Sequence, residues 1–148
     1  MTTIFESYFP TEETLLQWSA EWAQHCIPPL VIFLSGPLGA GKTTLVRGFL
    51  RGLGYQGRVK SPSYNLVESY EVNGKSVFHF DFYRIQDPQE LEFIGIHDYL
   101  QSPAIFLIEW PEKALTVLPP AHVTIYLEIS GTGRKLRREQ SIEPQFRV

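Results

Sequence analysis

The stretch Gly36-Pro37-Leu38-Gly39-Ala40-Gly41-Lys42-Thr43 carries the plainest chemical signal in this sequence. It satisfies G-x-x-x-x-G-K-[ST] in full, the pattern of a loop that cradles phosphates. Glycines let consecutive backbone N–H groups turn inward around an anion, and the N-terminus of the following helix adds a favourable dipole. Lys42 supplies a mobile positive charge for β and γ phosphates, and the Thr43 hydroxyl is a ligand for Mg²⁺. At ordinary glycine usage the pattern arises by accident on the order of once in two hundred chains of this length. The expectation is a site for ATP and Mg²⁺ built from Gly36, Leu38, Gly39, Ala40, Gly41, Lys42, Thr43 and Thr44.

Such a loop needs an acid at the end of a buried strand to fix Mg²⁺ or water. Two residues qualify. Glu109 closes the apolar run Ala104-Ile105-Phe106-Leu107-Ile108, so its carboxylate should emerge at the sheet edge that carries the phosphate loop. Asp81 lies in His79-Phe80-Asp81-Phe82-Tyr83-Arg84, where alternation puts His79, Asp81 and Tyr83 on one face and Phe78, Phe80 and Phe82 on the other. His79 reads as a hydrogen-bonded structural residue and Arg84 as an ion-pair partner of a nearby acid. Trp110 is either core or an aromatic guarding the nucleotide. Ser61-Pro62-Ser63-Tyr64 follows the phosphate-loop helix as either a nucleotide-sensing switch or an ordinary turn.

The elements that position these residues can be read from periodicity. Leu30–Leu34 is a continuous apolar run, as expected of a strand buried on both faces. The helix after the loop carries Leu45, Phe49 and Leu53 as one stripe and should end at Gly54 in a left-handed cap. Upstream, Ile4–Tyr8 suits a short edge strand. Thr11 is an N-cap with Glu12 and Glu13 in the first turn, and Leu15, Trp18 and Trp22 share a helical face that stops before Pro28-Pro29. Asn73-Gly74 predicts a hairpin joining Tyr64–Val72 to Lys75–Arg84. Asp87-Pro88-Gln89-Glu90 combines an N-cap, a first-turn proline and a capping-box acid, predicting a helix to about Leu100. Ala104–Trp110 and His122–Ile129 complete the strands.

Alternating strands and helices with one antiparallel hairpin indicate an α/β fold: a three-layer sandwich of the P-loop NTPase kind, with a central, mainly parallel sheet and helices on both faces. The 148 residues suffice for one domain, spanning 1–148, and the 43% apolar and 20% charged fractions are ordinary for a globular protein. The N-terminus has no basic start followed by an apolar core, and no apolar run approaches the ~20 residues of a membrane span. Cys26 is the single cysteine, which excludes an internal disulfide. Together these features favour the cytoplasm. With 13 basic and 16 acidic residues the net charge is −3, which argues against a protein whose main task is gripping a phosphate backbone. The one dense basic run, Arg134-Lys135-Leu136-Arg137-Arg138, is either a solvated face or strand end, or a contact for nucleotide, RNA or a partner.

In order and spacing, SGPLGAGKTTLVRGFL, VKSPSYNLVESY, HFDFYR, DPQELEFIGIHDYL and IEWPEK resemble the TsaE (YjeE) family, from about Pro10 to Leu127. The phosphate loop is shared with many families, whereas the combination of SPSY, HFDFYR and EWP is far more specific. The resemblance implies a weak ATPase that works with the TsaB and TsaD proteins, through which it meets tRNA. In that system TsaD transfers a threonylcarbamoyl group to adenosine 37 of tRNAs reading ANN codons, and the ATPase resets the complex between turnovers. By matched motif, Lys42 and the loop glycines would bind phosphates, Thr43 and Glu109 would hold Mg²⁺, and Asp81 would act as general base or water-orienting carboxylate. Ser61, Pro62, Ser63 and Tyr64 would be the switch, and adenine would pack between Thr11 and Arg134, with Trp110 nearby. Ser63 stands where the family usually has threonine, which keeps the hydroxyl. Neither a membrane nor DNA is implied. A small-molecule kinase is the alternative, but the segment after Glu109 lacks the basic lid such enzymes close over phosphates. The Asn/Thr-Lys-x-Asp element that a guanine-reading switch requires is missing.

Overall fold

A computed structural model of the protein describes residues 2–62 and 65–141. Among the described residues seven strands and four α-helices follow one another as β1 (Thr2–Phe9), α1 (Glu12–Ala23), β2 (Leu30–Ser35), α2 (Lys42–Leu53), β3 (Val67–Val72), β4 (Lys75–Asp81), α3 (Glu90–Phe93), α4 (Ile96–Leu100), β5 (Ile105–Glu109), β6 (Val123–Ser130) and β7 (Gly133–Ser141). The strands form one sheet in the order β1-β7-β6-β2-β5-β4-β3.

The apolar runs occupy its centre. β2 pairs in parallel with β5 on one side and β6 on the other, and β5 pairs in parallel with β4. Strands buried on both faces cannot afford polar side chains there, which is why Leu30–Leu34 and Ile105–Ile108 read as unbroken hydrophobic segments. Parallel pairing is confined to these four strands. The antiparallel part is larger than the single expected hairpin: β3 pairs with β4 as anticipated, but β6 and β7 form a second hairpin, and β1 adds to β7 at the edge.

Both turn signals act through left-handed backbone. Asn73 and Gly74 have φ of 50° and 80°, as a two-residue hairpin turn demands, and Gly54 ends α2 at φ 108°. Thr11 caps α1: its hydroxyl accepts from the Thr14 amide at 3.2 Å, and Thr14 returns a bond to the Thr11 amide. The segment after Asp87 departs from expectation. Asp87 accepts the Gln89 amide and Glu90 accepts the amides of Gln86 and Asp87, so the capping chemistry is present. Instead of one helix to Leu100, however, Gly95 at φ 76° splits the segment into α3 and α4, because a left-handed residue interrupts the helical hydrogen-bond ladder.

Two apolar layers cover the sheet. On one face α1 and α2 bury Leu15, Trp22, Leu45, Phe49 and Leu53 against Ile32, Leu34 and Leu107. On the other, Leu91 and Ile96 of α3 and α4 cover Phe33, Phe80, Phe106 and Ile108. The basic run lies within β7. Alternation turns Leu136 into the core and leaves Lys135 and Arg137 exposed, while Arg138 lies over the rings of Phe5, Trp18 and Trp22 at 4.9–5.8 Å.

Candidate active site

The phosphate loop leaves the carboxyl end of β2 and enters α2 directly. Gly36, Gly39 and Gly41 all have positive φ, at 150°, 79° and 106°. A Cβ at Gly36 would lie 2.4 Å from the Leu127 carbonyl oxygen, so the loop can pass β6 only without a side chain there. Gly41 is the N-cap of α2 and offers no side-chain acceptor, which leaves the first-turn amides open toward an anion.

Lys42 is almost fully buried, at 5% exposure. Its ammonium donates to the Gly36 carbonyl and sits 3.9 Å from the centroid of the Trp110 ring. Burial pulls its pKa below the ordinary lysine value, and the carboxylates of Glu109, Asp81 and Glu112 oppose that shift. Trp110 directly follows β5 and has φ 57°, a strained conformation for a bulky residue that cooperates with Pro111 to turn the chain. Its ring also contacts that of Tyr83, with centroids 5.0 Å apart.

The two acids are brought together by strand register: Asp81 of β4 is the direct partner of Glu109 of β5. Both therefore stand at the carboxyl edge, on the face that carries α2. Glu109 is 4% exposed, and its Oε2 lies 2.6 Å from Nε2 of the fully buried His79. Asp81 accepts the Tyr83 amide at 3.0 Å. Burial pushes the Asp81 carboxyl above the usual carboxylate range and Glu109 adds to the rise, while the Tyr83 amide, His79 and Lys42 pull the other way.

These groups line one cleft of about 580 Å³. Leu38, Gly39, Gly41, Lys42, Thr43 and Thr44 form one wall, and Ser61, Asp81, Glu109 and Trp110 another. Thr11 and Arg134 line the cleft too, and Arg134 donates to the Gly39 carbonyl of the loop at 3.0 Å. Three expected site residues stand outside the lining. The Gly36 carbonyl is used by Lys42, the Ala40 methyl is buried beneath the loop with its amide bonded to Pro37, and the Pro62 carbonyl accepts the Leu66 amide. Ser63 and Tyr64 of the expected switch lie outside the described residues.

Phe9, Glu12, Leu15, Thr132 and Gly133 also line the cleft and were not expected there. Glu12 bonds Arg47 at 2.6 Å and the Thr44 hydroxyl at 3.2 Å, tying the start of α1 to the start of α2. These residues come from β1, α1, the β6–β7 turn and the first residue of β7, elements distant in sequence from the loop, and no local pattern marks them as site residues.

The residues present fit Mg²⁺. Among the described residues no group of three His, Cys, Asp or Glu side chains could hold a metal alone. Mg²⁺ instead favours one or two protein oxygens, phosphate oxygens and retained waters. Glu109 offers that chemistry, since its bond to His79 engages Oε2 alone, and Thr43 lines the same cleft. No helix among the described residues is long and apolar enough to cross a membrane.

Known proteins share both the sequence pattern and the fold of this chain. The family model described as threonylcarbamoyl adenosine biosynthesis protein TsaE matches residues 9–139. A protein of that description from Haemophilus influenzae is 45% identical over 134 residues, covering 87% of this chain and 85% of its own. Another from Bacillus subtilis is 35% identical over 108 residues, covering 73% and 67%. The crystal structure of YdiB from Bacillus subtilis superimposes with a TM-score of 0.82 at 23% identity, over 99% of this chain and 90% of that one, and shows the same fold. With a family model spanning nearly its whole length and relatives of that identity, this chain belongs to the TsaE family.

Proposed function

We propose that this chain is a Mg²⁺-dependent ATPase that serves threonylcarbamoyladenosine modification of tRNA, working in the cytoplasm with TsaB and TsaD. The observation that carries the reading is the meeting of the phosphate loop with Asp81 and Glu109 in one cleft, in a chain of the TsaE family.

In this reading the α2 amides and Lys42 bind the phosphates of ATP. Lys42 must leave the Gly36 carbonyl to reach them, and its low solvation strengthens the contact it then makes. Thr43 and Glu109 hold Mg²⁺, which when bound neutralises charge building on the phosphate oxygens. Asp81 orients the attacking water and accepts its proton. A carboxyl held above its ordinary range is a better base for that task than a solvent-exposed one. Arg134 and Thr11 border the part of the cleft left for the nucleobase, and Ser61 begins the segment that senses the nucleotide. Hydrolysis resets the TsaB–TsaD assembly, and tRNA is met through that assembly rather than gripped by this acidic chain.

The test is ATP hydrolysis by the purified chain alone, and again with TsaB, TsaD and tRNA. Stimulation in the mixture is expected. Equal rates with and without partners would overturn the partner-gated role, and absence of Mg²⁺-dependent ATP binding would overturn the site itself.

A further inference from the structure

We propose that His79 is a positioning residue: its Nε2–H fixes the Glu109 carboxylate so that the remaining oxygen faces the metal position. The inference rests on the reading of Glu109 as a Mg²⁺ ligand and gives a specific task to a residue that the sequence marks only as a hydrogen-bonded structural histidine.

His79 is 0% exposed, on β4 two residues before Asp81, and points to the face of the sheet that carries α2. Its Nε2 lies 2.6 Å from Glu109 Oε2. A carboxylate can only accept, so the ring nitrogen donates. Glu109 has lost nearly all contact with water at 4% exposure, and this bond replaces part of what hydration supplied. It also removes the rotational freedom of the carboxylate. With Oε2 committed to the ring, Oε1 is the oxygen left for the cleft.

A second observation separates this from simple packing. The other ring nitrogen, Nδ1, is buried and has no hydrogen-bond partner among the described residues. An orphaned buried polar atom carries a desolvation penalty that nothing offsets. A residue present only to fill space would avoid that penalty by being leucine or phenylalanine. The penalty is tolerable where the opposite nitrogen does something an apolar side chain cannot, such as holding a metal ligand in orientation.

The experiment measures the affinity of a fluorescent ADP analogue across a Mg²⁺ titration, for the wild type and for His79→Leu, His79→Asn and His79→Gln. Glutamine places an N–H near the position of Nε2, whereas the shorter asparagine cannot reach Glu109. The expected result is that His79→Leu and His79→Asn need roughly 10–100-fold more Mg²⁺ for half-maximal effect. Their Mg²⁺-free nucleotide affinity should match the wild type, and His79→Gln should recover most of the loss. If His79→Leu does not fold, the asparagine–glutamine pair decides the question. Unchanged Mg²⁺ dependence in the asparagine variant, or equal weakening of Mg²⁺-free binding in both polar variants, overturns the proposal while leaving the ATPase reading intact. A wild type whose nucleotide binding ignores Mg²⁺ overturns both.

Discussion

Gly52→Ala sets two effects of opposite sign against each other. In an exposed helix interior, alanine in place of glycine stabilises by about 1 kcal/mol. Gly52, however, faces the backbone of α1: a Cβ built there lies 2.1 Å from the Ala20 carbonyl oxygen and 2.6 Å from its Cα. An ordinary carbon–oxygen contact needs about 3.3 Å, so the helices must part by roughly 1 Å. The Cβ is fixed to its own backbone and the atoms that it meets are backbone, so no rotamer change relieves the clash. Overpacking of this kind costs about 1–3 kcal/mol. The parting would also strain the bond from the buried Ser19 hydroxyl to the Leu45 carbonyl, 2.6 Å long, and the contact of Trp22 with Phe49. We therefore place the cost in the upper part of that range, leaving a net loss of about 1–2 kcal/mol after the propensity gain. For a domain of this size that lowers Tm by about 2–8 °C. Thermal and urea unfolding followed by circular dichroism measure it directly. A Gly52→Ala protein as stable as the wild type, or more so, would refute the claim that glycine is there to let α1 and α2 touch.

Other expectations concern the cleft and one buried thiol. Lys42→Ala should weaken ATP binding by at least tenfold, since a charge-assisted bond to phosphate contributes about 1.5–3 kcal/mol. Asp81→Ala should bind nearly as the wild type does but hydrolyse about 10²–10⁴-fold more slowly, and calorimetry with phosphate release separates the two; lost binding in Asp81→Ala contradicts its assigned role. The folded-state pKa of Asp81 is raised, so its ionised form opposes folding at neutral pH, and that penalty fades as pH falls through the folded value toward the unfolded one. Asp81→Asn should accordingly have the higher Tm at pH 7 and converge on the wild type in acid, whereas a lower Tm at pH 7 would contradict the sign. Cys26 is fully buried, with its thiol pushed up to about 12 by burial, so it should resist a thiol reagent at pH 8 until denaturant is added. Rapid stoichiometric labelling of the native protein would show the site to be open.

Local patterns in the sequence were enough for what depends on neighbours along the chain. The phosphate loop, the Thr11 cap, the Asn73-Gly74 turn and the two buried runs each follow from residue types within a few positions, because dihedral preference and hydrogen bonding between near neighbours decide them. The pairing of Asp81 with Glu109 was partly legible, since both were candidate acids on strands, although the sequence pattern ran the first strand on to Arg84 and it ends at Asp81. Their side-by-side register was not, because register is set by strands packing together. Gly95 shows the limit from the other side: a strong start signal at Asp87 predicted a full helix, and one left-handed residue divided it.

The remaining features belong to the tertiary structure. The basic run could be read as a solvated face or as a contact, and only its place between β1 and β6 turned Leu136 inward, laid Arg138 over the tryptophans and brought Arg134 to the loop. Glu12 is an unremarkable first-turn acid until α1 lies on α2 and brings it to Thr44 and Arg47. His79 is one alternating strand residue until β4 sets it against Glu109. The sequence by itself determined the residues of the phosphate-loop turn and where they lie, since a glycine-rich turn before a helix needs no distant partner to take its shape. Only the folded sheet decided which acids, cations and rings surround them, because those contacts join residues whose separation along the chain leaves no local trace of their meeting.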